Sequence, residues 1–275
     1  MPVPLMAALG ISFGCAVHDM MAADANDAEA RRVNYEAFKE VEEAARAARD
    51  EQERTAKSLL KLSKRKNAVM GSSLPKFVAV FQQVAKIDFQ HMDFGGQDFR
   101  VALPAELDEM RSLTNVAGMG LSDKQLLSTM LFNGMLKGAL GAISGTIRKE
   151  SEINLHVAYM NSDIADVAAS QNQTAKVAIA AIGAKAERYA GCLTKLNYFF
   201  VRSIEHIDAL IAKNGLHAAN YSYEDEEAIR ACFNLAETLK ILLEQPLFDK
   251  NGAVSQQAMC ALETGNAHLK RLQTM

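Results

Sequence analysis

Proline is nearly missing from this chain. Only five occur in 275 residues; two of them are Pro2 and Pro4, and none falls between Leu5 and Leu74 or between Ala105 and Gln245. An internal proline costs a helix roughly 3 kcal/mol, so proline-free runs rich in Ala, Leu, Lys and Glu, with no tryptophan anywhere, predict long helices and an all-α fold. Cysteine is scarce too. Cys15, Cys192, Cys232 and Cys260 show no CxxC or paired spacing, and each sits among apolar residues, where a thiol is expected to be buried and inert. A chain of this size needs no disulfide staples, so a reducing, cytoplasmic setting is the expectation. A formal charge of −3 gives no reason to expect a nucleic-acid partner.

Catalytic signatures are missing as well. The chain has no phosphate-cradling GxxxxGK[ST] loop, no GxSxG elbow and no zinc-finger spacing. The paired Glu-x-x-His motifs with which helical bundles hold two metals are also missing; Glu152 and His156 stand alone, four apart, as a surface pair would. His91 and Asp93, with Asp88 and Asp98, form the best loop cluster for a metal or a base, although Asp and His also decorate ordinary turns. Glu205, His206 and Asp208 are near neighbours on a predicted helix and point in different directions. No catalytic, metal or cofactor residue is assigned on this reading, and no cofactor is expected.

What the chain does contain is helical patterning, and it predicts a single elongated helical bundle over residues 1–275. The first long helix fills residues 1–70. Its seam, Ala30, Val33, Ala37, Val41, Ala44, Ala48, Gln52, Thr55, Leu59 and Leu62, advances in threes and fours with charged residues between, as in a coiled coil. Most seam residues are small, so a partner helix can come close while each contact buries little. Gly71-Ser72-Ser73-Leu74-Pro75 reads as a break. Short helices and a loop follow over 71–120: Phe77, Val80, Phe81, Val84 and Ile87 make a bulky helical face, Asp88–Pro104 around Gly95-Gly96 reads as a small hairpin or ordered loop, and Ala105–Val116 as another helix.

The second long helix occupies 150–214, with a seam from Ile153 through Val157, Ile164, Ala178, Ile182, Tyr189, Leu196 and Phe200 to Ile211. Its polar Gln171-Asn172-Gln173-Thr174 is placed at the seam, and Asn214-Gly215 stops it. Two C-terminal helices, about Glu224–Glu244 and Val254–Leu272, fill 222–275 and are separated at Pro246 and Asn251-Gly252.

Residues 121–149 hold the least ordinary segment. Leu126–Ile147 runs 22 residues with one charge, Lys137, and with Gly134, Gly138, Gly141 and Gly145 in small-xxx-small pairs that let helix backbones approach closely. Such a helix is about 33 Å long, enough for a hydrocarbon layer of about 30 Å, but Lys137 opposes a permanent span by about 2.5–3.5 kcal/mol. Two readings follow. Either the segment packs permanently against the apolar Leu5–Val17, or that packing is a stored state whose exposure drives membrane insertion or self-assembly. The N-terminal Ser12-Phe13-Gly14-Cys15 resembles a lipoprotein processing site only loosely, and the basic residues of an export signal are missing. A basic cluster, Lys57, Lys61, Lys64, Arg65 and Lys66, ends the first rod; it complements the helix dipole and could contact anionic lipid headgroups.

The order of an apolar start, an Ala/Glu/Arg rod, "LLKLSKRKNAVMGSSLPKFVAVFQQVAKIDF", "ELDEMRSL", a glycine-rich apolar centre and "AERYAGCLTKLNYFF" resembles a bacterial family of long-helix proteins, some labelled chemotaxis protein. The layout is also similar to that of cytolysin-A-type α-helical pore formers. Together with the residue patterns, these resemblances imply a cytoplasmic, non-enzymatic protein that acts by self-assembly or peripheral membrane contact, as one component of a bacterial defence or membrane-remodelling system. The alternative is a cytoplasmic helical scaffold or adaptor whose rods bind a partner protein.

Overall fold

The computed structural model describes residues 26–89, 93–94, 97–132, 162–249 and 252–274. Among them the fold is all-α, with helices over Asn26–Ala68 (α1), Leu74–Val84 (α2), Phe99–Ala117 (α3), Asp123–Phe132 (α4), Ser162–Asn214 (α5), Tyr223–Glu244 (α6) and Gln256–Thr274 (α7). The two proline-free runs produce the two long helices, 43 residues in α1 and 53 in α5. The expected hairpin is present in minimal form: β1 (Asp93–Phe94) pairs antiparallel with β2 (Gln97–Asp98), setting Asp93 opposite Asp98.

The chain divides into two compact units, one comprising Met1–Leu59, Gly134–Ala186 and Phe248–Val254, the other Leu60–Asn133, Glu187–Leu247 and Ser255–Met275. The first is built on small residues. Along α1 two series seven apart, Phe38, Ala45, Gln52, Leu59 and Val41, Ala48, Thr55, Leu62, are buried or half-buried without exception. Ala37 and Ala44, which the sequence reading placed in the seam, are half-buried beside this stripe. Within the first unit Val41 packs against Ala37 and Ala169. Thr55 Oγ1 donates to the Ile179 carbonyl at 3.1 Å. At the same level a Cβ on Gly183 would fall 2.7 Å from that hydroxyl and 3.5 Å from Thr55 Cα, so the small Thr55 side chain packs directly on the Gly183 backbone.

The second unit is built on large residues. Phe77 and Phe81 of α2 stack at 4.1 Å; Phe77 reaches Phe200 of α5 at 5.4 Å, and Phe81 reaches Phe233 of α6 at 6.1 Å. All four rings are buried, with Val80, Val84 and Ile87 beside them, and such aromatic pairs add about 0.5–1.5 kcal/mol each beyond their area. At the far end of α5, Gly215 takes φ +68°, and its N–H closes on the Ile211 carbonyl at 2.9 Å, which ends the helix where Asn214-Gly215 predicts it. Ser222 and Asp225 form a capping box that starts α6.

Three expectations need correcting. Gly71–Pro75 is not a break: Val69–Ser73 forms a π-helical turn, with Ala68 and Leu74 also in right-handed helical conformation, so the helical path continues from α1 into α2. Pro75 sits in the first turn of α2, where its missing N–H costs little, and the wider turn absorbs the register change. Helix α3 begins at Phe99, six residues before the predicted Ala105, with Pro104 inside its second turn. Thr174 does not occupy the seam. It is exposed and donates to the Ser170 carbonyl, while Gln171 and Asn172 are the half-buried members of that polar run.

The Gly183 contact gives a test against simple helix propensity. Alanine is favoured over glycine in a helix by about 1 kcal/mol, yet Gly183→Ala should lower stability by about 1–3 kcal/mol, because the methyl displaces the hydrogen-bonded Thr55 hydroxyl. Adding Thr55→Ala should recover most of that loss. Chemical denaturation of the two single variants and the double variant checks this; additive losses would show that the helices do not meet there.

Candidate functional site

At the C-terminus of α6 two buried polar side chains of the second unit, Lys66 and Tyr189, converge. A helix end leaves its last carbonyls without backbone partners, and if it is buried other groups must supply them. The Tyr189 hydroxyl, from α5, donates to the Leu242 carbonyl at 2.8 Å. Lys66, from the last turn of α1, donates to the carbonyls of Leu243 at 3.2 Å and Gln245 at 2.6 Å. Its Nζ lies 5.2 Å from the centroid of the Tyr189 ring. Lys66 is 0% exposed and Tyr189 is buried with it.

Burial governs the electrostatics here. It pulls the Lys66 ammonium from its ordinary value near 10.5 down to about 7. The negative end of the helix dipole and the tyrosine ring favour the charged form by about 1–2 kcal/mol each at most, whereas removing an ion from water costs several. The neutral amine still satisfies the site, since it carries two N–H bonds and two carbonyls accept them. Burial, with the charge of Cys192 second, raises the Tyr189 phenol above its usual range. The group therefore holds three backbone carbonyls at the meeting of α1, α5 and α6. With no exposed surface, the Lys66 nitrogen has no route to a substrate.

This changes the basic cluster. Lys66 does not belong to it: the helix turns that side chain inward while Lys57, Lys61, Lys64 and Arg65 are exposed. Lys64 is paired with Asp123 at the start of α4, at 3.1 Å and with both side chains more than half exposed, a contact worth about 0–1 kcal/mol. Lys57, Lys61 and Arg65 remain as surface cations that a headgroup could meet. Gly134, Lys137, Gly138, Gly141 and Gly145 lie outside the described residues, as do His91, Glu152, His156, Cys15 and Leu5–Val17. Of Leu126–Ile147 the described part is the C-terminal portion of α4, with Leu126, Met130 and Leu131 buried. No helix among the described residues is long and apolar enough to cross a membrane.

The remaining candidates do not converge. Glu205, His206 and Asp208 are all exposed along α5, and among the described residues no group of three His, Cys, Asp or Glu side chains is placed to hold a metal ion. Cys192 and Cys232 are buried, and burial first of all pushes their thiols up, to about 11 and about 12. Cys260 is exposed, against expectation, because it faces outward on α7. Sequence reasoning missed two polar groupings. Lys240 of α6 binds Glu106 at 2.7 Å and also Glu109, both on α3. Burial, with the nearby Glu106 second, raises Glu237, and burial likewise leads in raising Glu244. His268 Nδ1 meets Thr238 Oγ1 at 2.9 Å, and that hydroxyl also lies 2.9 Å from the Asn234 carbonyl. The three-and-four spacing of Glu237, Lys240 and Glu244 on α6 could have pointed to Lys240, but no sequence signal pairs α6 with α3.

Compared with models of protein families, with curated proteins and with solved structures, the chain matches none of them.

Lys66 makes a pH-dependent prediction whose sign is fixed. Between about pH 7 and 10.5 the unfolded chain holds a proton on this lysine that the folded chain has released, so its contribution to stability rises with pH across that window and is lost as pH falls through 7. The stability of wild type minus that of Lys66→Met should therefore climb from pH 7 to pH 10, by up to about 1.4 kcal/mol per pH unit. Denaturant titrations at several pH values measure it. A flat difference would mean that the buried lysine keeps its proton.

Proposed function

We propose that this chain is a non-enzymatic helical protein that works by self-assembly, with contact at a membrane surface as the second reading. The observation that carries the proposal is the small-residue contact of α1 and α5 in the first unit. Thr55 against Gly183, and Val41 against Ala169, join two long helices with little side-chain volume. Small-residue packing of this kind owes its stability to close backbone approach more than to buried area, and it can be re-formed between different helices at little cost. Leu126–Ile147, with the same small-xxx-small chemistry in its sequence, is the segment through which we expect new helix contacts to form. On this reading the chain belongs to the cytoplasm of a bacterium and meets membranes peripherally.

The membrane reading draws on a different observation, the exposed Lys57, Lys61 and Arg65. A cation close to an anionic leaflet contributes about 1 kcal/mol. A scaffold that binds a different protein through its rods remains the alternative, and oligomeric state separates it from self-assembly.

Sedimentation velocity over a wide concentration range, run beside co-sedimentation with neutral and anionic liposomes, tests the proposal. Wild-type protein should form oligomers as concentration or lipid rises. Gly138→Leu with Gly141→Leu should remove that behaviour and leave the helical content of the described core unchanged, while Lys137→Leu should strengthen lipid binding. A chain that stays monomeric at every concentration and ignores both liposomes would overturn the proposal in favour of the scaffold.

A further inference from the structure

The second unit carries a surface groove of about 390 Å3 where α5, α6 and α7 meet, with Tyr198, Phe199, Arg202, Leu235 and Leu272 among its walls. Its floor is apolar: Leu235 is buried and Leu272 half-buried. Its rim is a pre-set aromatic and cationic pair. Tyr198 is 57% exposed, an unusual state for so large a ring, and lies edge-on to Phe199 with centroids 5.6 Å apart. Arg202 Nη1 donates to the Tyr198 hydroxyl at 3.1 Å, and the guanidinium sits 5.9 Å from that ring. The charge of Glu205 acts on Arg202 from one turn away. Among the described residues, however, no salt bridge neutralises this guanidinium, so the groove offers an aromatic wall and an available cation side by side.

The same unit displays the complement of such a groove on another surface. Tyr223, in the first turn of α6, is 71% exposed. It is flanked by Glu224, Asp225 and Glu226. Asp225 is engaged with Ser222 in the capping box, which leaves the exposed Glu224 and the half-buried Glu226 as the other acidic residues of the same first turn. Tyr223 is not among the residues lining the groove of its own molecule.

We propose that the groove receives Tyr223 and the acidic first turn of α6 from a second copy of the chain, with Arg202 facing Glu224 and Glu226. This rests on the self-assembly reading and names one of its contacts. Because the knob and the groove are different patches, two copies can exchange them reciprocally about a two-fold axis or repeat them head-to-tail, and the oligomer size distinguishes the two. One aromatic side chain covers about 150–250 Å2, well short of the roughly 1,200–2,000 Å2 of a stable interface. The contact therefore sets the direction and register of association while other surfaces supply area. Its charge pairing makes association sensitive to salt.

The test uses full-length protein in sedimentation velocity at low and high salt. Tyr223→Ser on one surface and Arg202→Glu on the other should each weaken self-association about tenfold or more, with circular dichroism and melting unchanged because both side chains are exposed. Combining Arg202→Glu with Glu224→Arg and Glu226→Arg should restore association to within about threefold of wild type, since reversing both signs re-creates the pair. If wild type associates and the single-surface variants associate equally well, the groove contact is wrong and self-assembly stands. If the variants weaken association but the reversed combination recovers nothing, the pairing of Arg202 with these glutamates is wrong. If wild type does not associate at all, both the contact and the self-assembly reading fail together.

Discussion

The second unit depends on what becomes of one lysine side chain. Lys66 leaves α1 in a turn whose other cations face water, and it ends against the last carbonyls of α6. Those carbonyls have to be satisfied within the fold because Tyr189 and its neighbours bury the helix end. A side chain long enough to span from α1, with two N–H bonds to give, meets that requirement. Removing it would leave the buried Leu243 carbonyl unpartnered, at about 1–3 kcal/mol, and the part-buried Gln245 carbonyl dependent on water. The helix orientation that brings Lys66 inward also sends the chain through the π-turn into α2, whose Phe77 and Phe81 join Phe200 and Phe233. Polar closure and aromatic packing are thus imposed by the same piece of chain.

The two units stand on different kinds of contact, and this is what suggests how the protein works. In the second, large rings and a fully bonded polar group specify a single arrangement, since partial satisfaction is costly. In the first, α1 and α5 touch through alanine, threonine and glycine, where each contact is small and the specificity comes from backbone proximity. The proposal of self-assembly draws on this difference, because small-residue helix contacts can be re-formed between different helices at little cost.

Much of the fold was legible in the sequence, for reasons that can be named. Proline depletion and three-and-four spacing point to the all-α class and both long helices, and Asn214-Gly215 is a local end signal that needs no tertiary information. The bulky face of α2 was legible because Phe77, Val80, Phe81 and Val84 recur at helical spacing. The misreadings are equally instructive. Gly71-Ser72-Ser73-Leu74-Pro75 has the composition of a turn, but a proline in a first turn and a π-turn before it are both compatible with helix. Lys66 was grouped with Lys64 and Arg65 because a charge run looks the same whether every member faces water or one is turned inward; only the packing of α5 and α6 decides. Gly183 carries no signal of its own, because its importance is the position of Thr55, 128 residues earlier in the chain. The groove at Tyr198 and Arg202 was equally hidden, since its walls come from three helices.

The burial of Lys66 can be read directly by acylating the native protein with an amine-reactive ester at neutral pH and following each lysine by mass spectrometry. Lys57, Lys61 and Lys64 should be modified quickly while Lys66 stays unmodified, and unfolding in denaturant should make Lys66 react at the rate of the others. Rapid modification of Lys66 in the native protein, at a rate equal to Lys61, would place it on the surface and contradict the closure of α6 on which the second unit is argued to depend.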